Sequence, residues 1–169
     1  MSSKQLGMLA AAGSSILLLA AFLFQSMGYA PCAMCLWQRY PHGVAIGAGL
    51  LLTSGVFPMF WLALGGMAAA TTSAIGVYHT GVERDWWQGP TSCTGSGLDL
   101  STLSGSDLLP SGNLDSTTLV MCDQVAWQFL SLSMASWNAL WSAVFAVLWG
   151  VAMLRWIRLE QKNPNLQTF

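Results

Sequence analysis

The sequence predicts an all-α polytopic membrane protein: a bundle of four transmembrane helices with two outward-facing loops that carry every cysteine. Three observations lead there. The 169-residue chain is 54% hydrophobic and only 8% charged, against about 25% charged residues in soluble domains. Its charges are confined, because residues 5–38, 40–82 and 124–154 contain no Asp, Glu, Lys or Arg. A bilayer core about 30 Å thick takes about 20 mostly apolar helical residues to cross, and each stretch is long enough.

The first predicted span is 7–27, centred on the apolar run from Ile16 to Phe24. The second, 41–57, is shorter and glycine-rich, and the third is 59–78. Only the Ser54-Gly55-Val56-Phe57-Pro58 neighbourhood separates these two, which predicts a tight antiparallel hairpin. The fourth span is 137–157, and the whole chain, 1–169, reads as one membrane domain. Four spans put both termini on one side with Lys4, Arg155, Arg158 and Lys162, opposed there only by Glu160. The positive-inside tendency makes that side the cytoplasm. The outer loops are then 28–40 and 79–136, the second holding six of the seven acidic residues and a single Arg84. Lys4 and the apolar stretch after it resemble a secretory leader, but cleavage after Ala30 would place Pro31 at the scissile bond, so the segment reads as a retained span. Six basic residues against seven acidic ones leave no basic excess, which argues against a nucleic-acid partner.

Cys32, Cys35, Cys93 and Cys122 all fall in the two outer loops. An even count confined to an oxidising face reads as disulfide chemistry. Cys32-Ala33-Met34-Cys35 is a C-x-x-C, a spacing that closes a small reducible disulfide and allows one thiolate to be stabilised. Cys93 and Cys122 lie in a polar stretch rich in Gly, Ser, Asp and Thr, as in a loop closed by one bridge. A c-type haem site would need His at position 36, which is Leu, and a four-cysteine zinc site usually draws on two close pairs. The opposing reading is two structural disulfides. A C-x-x-C is a poor staple, since so short a loop removes little unfolded-chain entropy, and this favours exchange chemistry.

Arg39 is the only charge between Lys4 and Glu83. With a helix beginning near Cys35, it falls one turn on and on the same face. There a guanidinium stabilises a Cys35 thiolate and donates to a carbonyl oxygen, or else it snorkels as an interfacial anchor. His79, at the outer end of the third span, bonds a ligand carbonyl, exchanges protons, or simply caps the helix. His42 is a weaker candidate. Trp37, Trp86, Trp87, Trp127 and Trp137 fit an aromatic belt. Gly43-Val44-Ala45-Ile46-Gly47 is a G-x-x-x-G, expected to let helix backbones approach closely. Leu98, Leu100, Leu103, Leu108 and Leu109 suggest that part of the long loop lies on the membrane surface.

Pro31-Cys32-x-x-Cys35-x-x-x-Arg39 after one span, Tyr78-His79-Thr80 at the end of the third, and Cys93 and Cys122 in the next loop together resemble the DsbB family of bacterial inner-membrane disulfide bond formation proteins. The resemblance extends through Cys122-Asp123-x-x-x-Trp127-x-Phe129-Leu130 and covers essentially the whole chain. Some members have an acidic residue before the Arg where this chain has Gln38, and the stretch 96–113 has no counterpart that aligns.

The resemblance implies an oxidase of a periplasmic thioredoxin-fold dithiol protein of the DsbA type, with ubiquinone or menaquinone as electron acceptor. In its terms Cys93 forms the mixed disulfide with the partner and Cys122 is its companion. Cys122 exchanges with Cys32, and Cys35 passes electrons to a quinone held near Arg39, with His79 also associated with that site. No metal is implied. Two alternatives stay open: a quinone or epoxide reductase of the vitamin K epoxide reductase type, and a non-catalytic membrane protein with two stable bridges.

Overall fold

The computed structural model describes residues 1–90 and 121–162; Cys93, the 96–113 stretch and Leu98 to Leu109 lie outside them. Four helices follow in order: α1 (Ser3–Ser26), α2 (Ala33–Thr53), α3 (Pro58–Glu83) and α4 (Met134–Lys162). A two-residue-per-strand hairpin, β1 (Gln128–Phe129) paired antiparallel with β2 (Leu132–Ser133), precedes α4. By length and composition α1, α3 and α4 are apolar enough to cross a membrane.

Helices α3 and α4 extend past their predicted spans at both ends and α1 at its start, while α2 ends at Thr53, short of the predicted 57. Ser2 caps α1 through a reciprocal box with Gln5, satisfying donors that the first turn leaves unpaired. The largest difference is at α2, which starts at Ala33 with Cys32 as its N-cap and carries Pro41 in its interior. The predicted outer loop 28–40 is therefore helical from Ala33, and Cys35 and Arg39 stand on a helix. Between α2 and α3 the chain turns through Gly55 and Phe57, both at positive φ, and Pro58 opens α3, giving the expected tight hairpin.

The helices form a ring in which α1 packs on α2 and α4, and α3 packs on α2 and α4. Arg155 donates to the Met1 carbonyl at 2.9 Å, so the start of α1 and the last turns of α4 meet at one end, and Cys32, Cys35 and Cys122 lie at the other. Toward the terminal end, Leu6, Leu52, Leu62 and Trp149 form the apolar core. Gly43 and Gly47, expected to bring helices together, face open space. The close approaches are made instead by Gly7, Gly13, Gly49 and Gly65, where any added Cβ would collide with a neighbouring helix's side chain.

Candidate functional site

Cys32 sits at the mouth of α2, where unpaired N–H groups and the helix dipole favour negative charge. Its sulfur accepts the Cys35 backbone N–H at 3.2 Å and lies 2.9 Å from Cys35 Sγ; both are thiols. The pair stands outside the apolar run that begins at Pro41. Hydrogen bonding to Cys35, together with burial, pushes the Cys32 thiol well above its ordinary value. The bond received from Cys32 lowers Cys35, and the charge of Arg39 acts in the same direction. Cys35 is thus the member of the pair held toward thiolate.

Cys122 is fully buried and disulfide-bonded. Its sulfur, Cys32 Sγ and a ring nitrogen of His79 all lie within 4.8 Å of one another. A disulfide sulfur is no thiolate ligand for a metal, so this closeness counts for thiol exchange. The predicted C-x-x-C and one cysteine of the distal pair thereby share a single buried cluster.

His79 is 2% exposed, with Nε2 3.5 Å from Cys32 Sγ and 3.8 Å from Glu83 Oε1. Its Nδ1 is 3.0 Å from Gln38 Nε2. Glu83 also accepts a bond from the Ser133 hydroxyl. Below this lies a polar network within the bundle. Asn138 Nδ2 donates to Gln38 Oε1 at 2.7 Å and to Thr72 Oγ1 at 3.1 Å, and Asn138 Oδ1 is 2.8 Å from His42 Nε2.

Beside Cys35 a cavity of about 450 Å³ opens among residues of all four helices and the β1–β2 hairpin. Leu17, Phe24, Trp127, Trp137 and Trp141 supply apolar walls, while Cys35, Arg39 and His79 supply its chemistry. Arg39 lies one turn beyond Cys35 on the cavity face, as the helical spacing predicts. Its guanidinium donates to Gln25 Oε1 at 2.6 Å and to the Ala21 carbonyl at 3.4 Å, and stacks 4.9 Å over the Phe22 ring. Two of its five N–H donors are so engaged. Of the aromatic-belt residues, Trp37, Trp86 and Trp87 are exposed, while Trp127 and Trp137 also line the cavity.

Sequence reasoning marks Gln38 only as a departure from the family pattern and does not single out Thr72, Glu83 or Asn138. The signal for three of them was present, since a polar side chain inside a charge-free membrane-length run is costly and turns to the bundle interior.

These features define a class: a helical membrane protein built around a cysteine-pair redox centre. The model of the family described as disulfide bond formation protein DsbB matches residues 3–152. The disulfide bond formation protein B of Shewanella frigidimarina is 32% identical over 148 residues, covering 80% of this chain and 81% of that protein. That of an Acidovorax species is 31% identical over 160 residues, covering 89% and 86%, and that of Pasteurella multocida is 29% identical over 164, covering 90% and 88%. No solved structure matches the chain. The chain belongs to the DsbB family of disulfide bond formation proteins, and its role is that of a membrane disulfide oxidoreductase.

Proposed function

We propose that this protein reoxidises a periplasmic thioredoxin-fold dithiol protein of the DsbA type and delivers the electron pair to a membrane quinone, ubiquinone or menaquinone. The reading sets all four helices across the bacterial inner membrane, termini in the cytoplasm and cysteines toward the periplasm. The observation that carries it is the approach of Cys122 Sγ to Cys32 Sγ, beside a cavity that holds Cys35 and Arg39.

The residues present fit a quinone. The cavity walls are mostly apolar, and Arg39 has N–H donors left for a ring carbonyl oxygen. A bound quinone supplies a two-electron, two-proton acceptor more oxidising than a DsbA-type disulfide, which itself stands at about −120 mV.

The chain's own residues carry the exchange. A partner thiolate attacks Cys93 of a Cys93–Cys122 disulfide, and Cys122 leaves as a thiolate. Cys122 attacks Cys32 of the Cys32–Cys35 disulfide, forming a Cys122–Cys32 bond and releasing Cys35 as thiolate. The partner's second thiol resolves its mixed disulfide with Cys93 and leaves oxidised. Cys93 then attacks Cys122, restoring the distal disulfide and releasing Cys32, so the electron pair rests on Cys32 and Cys35. Helix α2 favours Cys35 as the thiolate through its N-terminus, the Cys32 bond and Arg39.

The test is quinone reduction by the purified protein, given a reduced DsbA-type protein and a soluble quinone analogue. Wild type is expected to turn over and Cys35→Ser to lose turnover entirely. A folded wild-type protein inactive with both quinone types and with several dithiol partners would overturn the reading.

A further inference from the structure

The polar network at the cysteine end fixes its own proton positions, because two backbone carbonyls can only accept. The Met34 carbonyl is 3.2 Å from one side-chain atom of Gln38, so that atom is the amide nitrogen. The Gln38 carbonyl is 3.1 Å from Thr72 Oγ1, so the hydroxyl spends its proton there and accepts from its other neighbours. The Asn138 atom 3.1 Å from Thr72 Oγ1 is therefore its NH₂ group. The same NH₂ donates to Gln38 at 2.7 Å, so the Gln38 atom it meets is Oε1, which orients the Gln38 amide a second, independent time.

With the Gln38 NH₂ fixed, one of its protons goes to Met34 and the other points at His79 Nδ1, 3.0 Å away. An amide nitrogen has no lone pair to offer, so Nδ1 must accept. An imidazolium, or the tautomer protonated at Nδ1, would set N–H against N–H. The same logic reaches His42: Asn138 Oδ1 accepts at 2.8 Å, so His42 carries its proton on Nε2. The His42 Nδ1 atom is buried without a partner, which an acceptor tolerates better than a donor does.

We infer that Gln38 is a positioning residue that locks His79 as the Nε2–H tautomer, making His79 a hydrogen-bond donor to the Cys32 sulfur rather than its base. The acceptors around the ring fit a donor at Nε2: Cys32 Sγ lies 3.5 Å and the Glu83 carboxylate 3.8 Å from it, and the ring also hydrogen-bonds the Cys122 backbone carbonyl, so the Cys32 sulfur shares this N–H with other acceptors. Whenever Cys32 leaves as a thiolate, that N–H stabilises the charge, and hydrogen bonds to charged sulfur or oxygen are the stronger kind. The inference deepens the relay reading, and rests on it only for this consequence.

The test is ¹⁵N NMR of the full chain, labelled in histidine and reconstituted without quinone or partner at neutral pH. Both histidines are expected to show a protonated Nε2 and an unprotonated Nδ1, with His79 assigned by its loss in His79→Asn. In Gln38→Glu a carboxylate replaces the NH₂, and the His79 proton is expected to shift to Nδ1. In Gln38→Leu the lock is absent and both tautomers appear. A protonated Nδ1 on wild-type His79, or a Gln38→Glu spectrum with the proton still on Nε2, would overturn the inference. A protonated Nδ1 in the wild type overturns the inference whatever the variants do, and since Nε2–H is also the commoner form of a free imidazole, either folded Gln38 variant suffices to assign the preference to Gln38. Loss of quinone turnover with the Nε2–H signature in place would instead count against the relay alone.

Discussion

At the cysteine end of the bundle, Gln38, His42, Thr72, His79 and Asn138 meet through directed hydrogen bonds next to a cavity of about 450 Å³. Toward the other end, Gly7, Leu52, Leu62, Gly65 and Trp149 close on one another so tightly that no methyl group could be added at either glycine. In lipid the hydrophobic effect does little to drive helices together, and packing contacts and interhelical hydrogen bonds do the work. Single hydrogen bonds in that setting average about 0.6 kcal/mol, whereas emptying a large buried site costs several times more. The comparison assigns cohesion to the packed end and geometry to the polar end.

The sharpest way to break that assignment is Trp149→Ala. Trp149 is wholly buried and fills the space left by Gly7 and Gly65, and truncating so large a side chain costs about 3 kcal/mol. Thermal unfolding in detergent should move down by several degrees, while quinone reduction per folded molecule stays near wild type. An unchanged melting point, or activity lost in proportion to nothing but the site, would reverse the roles of the two ends.

Arg39→Ala comes next and acts on function. If Arg39 holds the quinone as proposed, the variant loses a charge-assisted hydrogen bond that contributes about 1.5–3 kcal/mol, and KM for the quinone analogue should rise about tenfold or more. Thiol exchange among the four cysteines, followed by alkylation trapping, should be nearly unaffected. Equal effects on both steps would make Arg39 an anchor between α1 and α2, the role its bonds to Gln25 and Ala21 already suggest.

Much of this was legible in the sequence. Charge-free runs located the helices, and the C-x-x-C with Arg39 one turn on pointed to the candidate site, because both signals are local and periodic. The apolar span predicted from Pro41 misses the first two turns of α2, since Pro favours the first turn of a helix but Pro41 sits inside α2, nine residues after its cap Cys32; the start near Cys35 that the Arg39 spacing invokes is the nearer one. The β1–β2 hairpin gave no sign of itself. Its turn places Leu130 and Ser131 at positive φ, where Asn-Gly is the usual signature. The network of Gln38, Thr72 and Asn138 joins three helices, so its pairings exist only once the bundle has formed.

Asn138→Leu sharpens the polar side at smaller cost. It removes the donor to Gln38 Oε1 and Thr72 Oγ1 and the acceptor of His42, a loss of about 1 kcal/mol by the membrane scale. In the histidine spectrum, His42 should keep its Nε2 proton only through Thr72 Oγ1, 3.3 Å away, so its tautomer preference weakens without reversing. His79 should keep its Nε2–H, because Met34 still orients Gln38. Loss of order at both histidines would mean that the network is held from Asn138 and not from the α2 backbone.

The smallest expected effect belongs to Gly47→Ala. A G-x-x-x-G in an apolar span is commonly read as a helix contact, yet Gly47 faces open space and a Cβ there meets nothing within 4 Å. Gly65→Ala is the matched control. Its Cβ would stand 2.6 Å from the Trp149 ring, and overpacking a filled site costs about 1–3 kcal/mol. Gly47→Ala should therefore leave the melting point where it is, or raise it slightly through better helix propensity, while Gly65→Ala lowers it. A drop for Gly47→Ala as large as that for Gly65→Ala would show that the open face of α2 is covered in the membrane, by lipid or by another helix. The boundary between packed and unpacked faces would then have to be redrawn.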